Sequence, residues 1–149
     1  MIALDTNILA RFYVEDPGDP EAAKQRPIAD EIFTTSPSLF VPLTVVLELE
    51  WVLRAFYRFD AAQVTQVMEH LLGLPNVNVE EVDRIAAALE HLGQGLDFAD
   101  ALHLAGSRHC EALYTFDDRR FARRAQRLSR RPSVVVPKTF PNLPGPDAT

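Results

Sequence analysis

Ile2-Ala3-Leu4-Asp5-Thr6-Asn7-Ile8-Leu9 opens the chain with a short apolar run and an acid directly behind it. Ile8, Leu9 and Phe12 then recur at helical spacing. The order is strand, carboxylate, helix. It returns at Leu113-Tyr114-Thr115-Phe116-Asp117, ahead of another segment of helical period. Between the two, short apolar runs alternate with longer helical patterns. Strands are expected at 1–4, 39–41, 77–79, 112–116 and 133–136. Helices are expected at about 20–34, 45–57, 60–72, 80–94, 97–110 and 117–129, with Asp19 and Pro20 opening the first, Pro27 bending or breaking it, Thr44 capping the second and an Asp60/Gln63 capping box opening the third. Strands separated by helices define an α/β layer fold with a mostly parallel sheet.

At 149 residues the chain suits one domain, 1–149, with an irregular Pro-rich tail from about 137. Its composition, 47% hydrophobic and 24% charged, excludes a disordered chain. No apolar run reaches the roughly 18–20 residues that span a bilayer, so no membrane partner is expected. The opening Met1–Asp5 has no basic segment followed by a long apolar one, so no secretory signal is expected, and the lone Cys110 cannot close an internal disulfide. Both fit a cytoplasmic setting. Cys110 itself is expected to be a small buried side chain.

The net charge of −6 conceals a division. Residues 1–118 hold 20 acidic and 7 basic residues, whereas 119–149 hold one acidic and 8 basic residues. The acidic average therefore does not exclude a polyanionic partner.

In a parallel sheet Asp5 and Asp117 emerge at the carboxyl edge, where open α/β sheets bind ligands. The plainer reading of each is a helix N-cap. Asp97 and Asp100 lie three apart at a helix start, so both can face one point. Capping explains Asp97 well and Asp100 less well. At roughly 100° per residue, Val45, Leu49, Val52, Leu53 and Phe56 form one apolar stripe. Glu48 borders that stripe, where a carboxylate is partly buried. Glu50 and Arg54 fall opposite, and Glu50 is expected to be a solvated charge. Leu47 and Trp51 occupy a third side, either a second buried face or a partner surface. Converging carboxylates repel unless they are protonated or bound to cations. Oxygen ligands without a Cys/His set suit Mg²⁺ or Mn²⁺, not zinc. The four histidines show no paired zinc spacing, and His103 reads as an ordinary helix side chain.

Four stretches together resemble the PIN-domain ribonucleases, and in particular the VapC-type toxins of toxin–antitoxin pairs. They are Ile2–Leu9, Val46–Leu53, Asp97-Phe98-Ala99-Asp100-Ala101-Leu102-His103 and Leu113–Asp117, in that order. The resemblance implies a three-layer α/β/α domain with a mostly parallel central sheet and an acidic pocket for Mg²⁺ or Mn²⁺. On that pattern Asp5, Glu48, Asp100 and Asp117 are the catalytic acids and metal ligands. Asp97 is an accessory metal ligand, and Asn7 and Thr115 are polar supports. It also implies a homodimer and a small cognate antitoxin with a DNA-binding domain. Asp118 departs from the pattern, since a basic or neutral residue is commoner there. It reads as a solvated charge or an outer acid of the site.

The activity expected is metal-dependent endonucleolytic cleavage of RNA, with the protein as the toxin of its pair. The alternative is a PIN-like module that binds RNA or protein without cutting. Phosphatases with an Asp nucleophile usually carry a second Asp two residues on, where this chain has Asn7. Receiver domains place their adjacent acid pair early, whereas Asp117-Asp118 comes late. Seven arginines fall between Arg119 and Arg131. Arg120, Arg123, Arg124, Arg127 and Arg131 share a face by i+3/i+4 steps. The first four are candidate phosphate contacts; the plainer reading is a solvated helix or a docking surface for an acidic antitoxin tail.

Overall fold

The computed structural model describes residues 1–128 and 131–138. Most of the Pro-rich tail, together with Ser129 and Arg130, lies outside the described residues. The elements follow the expected alternation. Strand β1 (Ile2–Ala3) leads to α1 (Thr6–Tyr13) and α2 (Pro20–Thr35), then β2 (Leu39–Val41) and α3 (Leu43–Trp51). After α4 (Ala61–Gly73) come β3 (Val77–Val79), α5 (Val82–Gly93) and α6 (Phe98–Gly106). Strand β4 (Ala112–Tyr114), α7 (Arg123–Leu128) and β5 (Ser133–Val135) complete the described chain.

Every strand pairing is parallel. One ladder runs β1-β2-β3, and a second joins β4 to β5. This is the mostly parallel α/β organisation expected of a three-layer α/β/α domain. Leu39 and Val41 of β2, Leu9 of α1, Leu49 of α3 and Leu104 of α6 lie fully inside the core. Helix α1 packs on α2 and α3, α5 packs on α4 and α6, and α3 also meets α6. The elements that carry Asp5, Glu48 and Asp100 are thereby drawn together. Among the described residues no helix is long and apolar enough to cross a membrane.

Local signals explain most boundaries. Asp19 caps α2 by accepting from the amides of Glu21 and Ala22, and Pro20 occupies the first turn. Asp60 and Gln63 form the expected capping box of α4. Pro27 lies inside α2, which continues through it to Thr35.

Three local expectations are corrected. Thr44 does not open α3. The helix starts at Leu43, whose amide donates to Glu80 Oε1 at 3.0 Å from just beyond β3. A long-range carboxylate thus fills the role assigned to a local hydroxyl. The expected helix 45–57 is also not uniform: Val52–Phe56 is π-helical, closed by Tyr57 N–H to Val52 O at 3.2 Å. The wider turn rotates Phe56 off the apolar stripe, and it is 70% exposed. Cys110, expected inside, is exposed in the turn before β4.

Candidate active site

Asp5 follows β1 and is the N-cap of α1, accepting from the Thr6 amide at 2.7 Å. Its carboxylate remains exposed. Asn7, the second residue of α1, is also exposed. Opposite them, Glu48 is exposed rather than partly buried, because α3 presents that side to an open hollow. Asp5, Thr6, Asn7 and Glu48 line this hollow of about 320 Å³, together with Trp51, Phe56 and Tyr57. Thr6 is buried, and its hydroxyl oxygen has no hydrogen-bond partner among the described residues.

Glu50 reverses its expected role. Its side chain is only 5% exposed and accepts from Arg54 Nε at 2.9 Å. The helical wheel set Glu50 and Arg54 on the solvent side; Arg54 is exposed there, but Glu50 is buried. The i,i+4 pair neutralises a charge that would otherwise be costly to bury. Glu48 and Glu50 also line a second hollow with Trp51 and Ala99. Glu48 therefore stands between the Asp5 side and the α6 segment that bears Asp100.

Asp100, in the first turn of α6, is half-buried. Burial raises its carboxyl above the ordinary range, and the neighbouring Asp97 and Asp117 charges raise it further. His103 and Arg124 oppose that shift. Asp97 and Asp117 thus both act on Asp100, and the i,i+3 spacing had put Asp97 beside it. Asp97 is the N-cap residue of α6 by backbone position but makes no capping hydrogen bond. Its Oδ1 instead lies 3.9 Å from Arg124 Nη1.

Asp117 caps the turn after β4, accepting from the Arg120 amide at 2.9 Å. Its own amide donates to Thr115 Oγ1 at 3.1 Å. Thr115 therefore supports the backbone of Asp117. Asp118 Oδ2 meets Arg123 Nη2 at 2.7 Å, so it is a paired charge and not a freely solvated one.

The acids form two neighbouring groups, Asp5 with Glu48 and Asp97 with Asp100 and Asp117. Among the described residues no three His, Cys, Asp or Glu side chains are close enough to hold an ion as they stand. The donor set is nevertheless all oxygen. The burial and like charge at Asp100, which His103 and Arg124 offset only in part, are conditions that a hard divalent cation relieves.

The arginine segment is less regular than a single helix. Asp118–Ala122 is π-helical, and Arg131 stands in a bend ahead of β5 and not on a helix face. Arg123 is held by Asp118. Arg124 Nη1 donates to Gly95 O at 3.0 Å as well as facing Asp97. Arg120 and Arg127 are exposed. Sequence reasoning missed the aromatic wall of the first hollow. Its signal was Trp51 lying off the core stripe; the displacement of Phe56 left no local sign.

This arrangement matches a known family. The model of the PIN domain matches residues 2–127, and the chain belongs to the PIN-domain family. PIN domains are usually nucleases and generally use divalent metals. Comparison with curated proteins returns no match.

Proposed function

We propose that the protein is a metal-dependent endoribonuclease, and that it acts as the VapC-type toxin of a toxin–antitoxin pair. The observation that carries the nuclease reading is the half-buried Asp100 carboxyl, raised by burial and by the charges of Asp97 and Asp117, on a helix packed against the one that brings Glu48 to the hollow it shares with Asp5. Asp5, Glu48, Asp100 and Asp117 would hold Mg²⁺ or Mn²⁺, with Asp97 as an accessory ligand. A cation bound there would polarise a phosphate oxygen and make attacking water more acidic. The backbone bonds of Asp5 and Asp117 fix where their carboxylates start, which limits the reorganisation needed on binding. Asn7 can donate to or accept from water or RNA at the rim. Arg120 and Arg127 supply positive potential for the incoming strand. Arg124 acts differently: it holds the Gly95 turn and Asp97 in place. Arg123 balances Asp118.

The toxin reading further implies a homodimer and a small antitoxin with a DNA-binding domain, in a cytoplasmic setting. It rests on the resemblance of the four motif stretches. Co-expression supplies its test: expression of the chain alone should arrest growth, and the product of an adjacent small reading frame should restore it. The nuclease reading is tested by incubating purified protein with RNA in Mg²⁺, Mn²⁺ or EDTA. Cleavage that EDTA abolishes is the expected result. Tight RNA binding with no cleavage in either metal would favour the non-catalytic module instead.

A further inference from the structure

The aromatic wall beside Asp5 and Glu48 is not needed to bind a cation. Trp51 is 57% exposed and Phe56 70% exposed, a costly display of apolar area on a folded chain. Both line the same hollow as Asp5, Asn7 and Glu48, with Tyr57 completing the wall. Glu48 and Trp51 are i,i+3 neighbours on α3, so the acid and the indole share one helix face. The π-helical turn at Val52–Phe56 then brings Phe56 out of the core and into this wall.

Tyr57 is held in place. Arg11 Nη1 donates to its hydroxyl at 3.2 Å, while Arg11 Nε donates to Gln25 Oε1 at 2.9 Å. The ring is therefore fixed before any ligand arrives, which lowers the entropic cost of binding.

We propose that this hollow is a subsite for an unpaired nucleobase adjacent to the phosphodiester that is cut, with Trp51 and Phe56 as stacking residues. The proposal rests on the ribonuclease reading and adds to it two base-contacting residues of this chain, Trp51 and Phe56, beside Asp5 and Glu48. The chemistry of the walls selects this occupant. A purely apolar partner would cover Trp51 and Phe56 but strip water from Asp5 and Glu48. A nucleotide has an apolar ring face for the aromatic wall, polar edges for Asn7, and a phosphate for the acidic end once its charge is balanced. The volume of about 320 Å³ lies in the range of small-ligand clefts. Aromatic stacking demands a base already out of a helix, so duplex RNA is excluded.

The test uses a short unpaired RNA containing a mapped cleavage site, and two copies with an abasic residue on either side of the scissile bond. Single-turnover cleavage in Mn²⁺ is measured for wild type, Trp51→Ala and Phe56→Ala. One abasic position should raise the half-saturating concentration about 5- to 100-fold, with the rate at saturation within about twofold. Each alanine variant should show a similar loss on the parent RNA and little further loss on the abasic one. Equal cleavage of parent and abasic RNAs, or losses that simply multiply, would overturn the subsite while leaving the nuclease reading intact. A Trp51→Ala protein with unchanged kinetics but a shifted sedimentation coefficient would assign the wall to a protein interface and also overturn it. If wild type cuts no RNA, both readings fall.

Discussion

Asp5 and Asp100 act through different physics, and their amide variants separate the two. Asp5 is exposed and tied only to the Thr6 amide, so Asp5→Asn should leave the fold intact. Loss of an outer ligand-orienting group commonly costs 10–100-fold, so loss of a direct ligand should cost at least about 100-fold in cleavage. Asp100 carries a raised carboxyl from burial, Asp97 and Asp117. Its folded form thus binds a proton more tightly than its unfolded form. Between the unfolded pKa, about 3.9, and the higher folded value, the native state holds more protons, and stability falls as pH rises. The metal-free protein therefore carries a penalty at neutral pH that is absent below about pH 4. Asp100→Asn should raise the Tm at pH 7, an advantage that should vanish below about pH 4, while cleavage is lost. An unchanged or lower Tm for a well-folded variant would contradict the repulsion described at Asp100. Added Mn²⁺ should stabilise wild type by mass action and stabilise this variant less.

At the scale of elements, most boundaries were legible because their signals are local. Asp19-Pro20, the Asp60/Gln63 box and the apolar runs of the strands needed only their near neighbours. The exceptions depend on contacts distant in sequence. Glu80 caps α3 from 37 residues away. Glu50 is buried where a helical wheel assigns it to solvent. Phe56 leaves the core because a π-helical turn changes the angular step on which that wheel depends. The same limits apply to the candidate site. Asp5, Asp97, Asp100 and Asp117 were visible as acids at strand ends and helix starts, and Glu48 as an acid bordering the core stripe, although its exposure was not. The aromatic wall was not, since it is made by the π-helical turn and by Arg11 from another helix.

Two predictions belong to these elements. Arg54→Met leaves the buried Glu50 carboxylate without its partner and should cost about 1–3 kcal/mol in urea unfolding. The cost should shrink when Glu50→Gln is combined with it. Gly95 holds φ at +96° between α5 and α6 and accepts from Arg124. Gly95→Ala should cost at least about 1 kcal/mol, since an L side chain is strained there.

For the whole molecule, the division of charge becomes a spatial one. Asp5 and Glu48 line a hollow, and the basic residues follow the Asp117-Asp118 pair in the chain. The arginines do not form one uniform phosphate-binding face. Arg123 and Arg124 are engaged by Asp118, Gly95 and Asp97, whereas Arg120 and Arg127 are exposed. Replacing Arg120 or Arg127 by Ala should weaken RNA binding for all sequences alike and lower the salt slope by about one each, at most. Replacing Arg123 should change that slope little. An equal effect at all four would instead mark them as one phosphate-binding face.

The central claim is that the carboxylates at this sheet edge cut RNA with the help of a divalent cation. The most direct measurement is the single-turnover rate of wild type and Asp5→Asn on one unpaired RNA, in saturating Mn²⁺ and again in EDTA. The account predicts cleavage by wild type in Mn²⁺ alone, and at least about a hundredfold slower cleavage by Asp5→Asn with an unchanged Tm. Equal rates for the two proteins, or cleavage that survives EDTA, would contradict it.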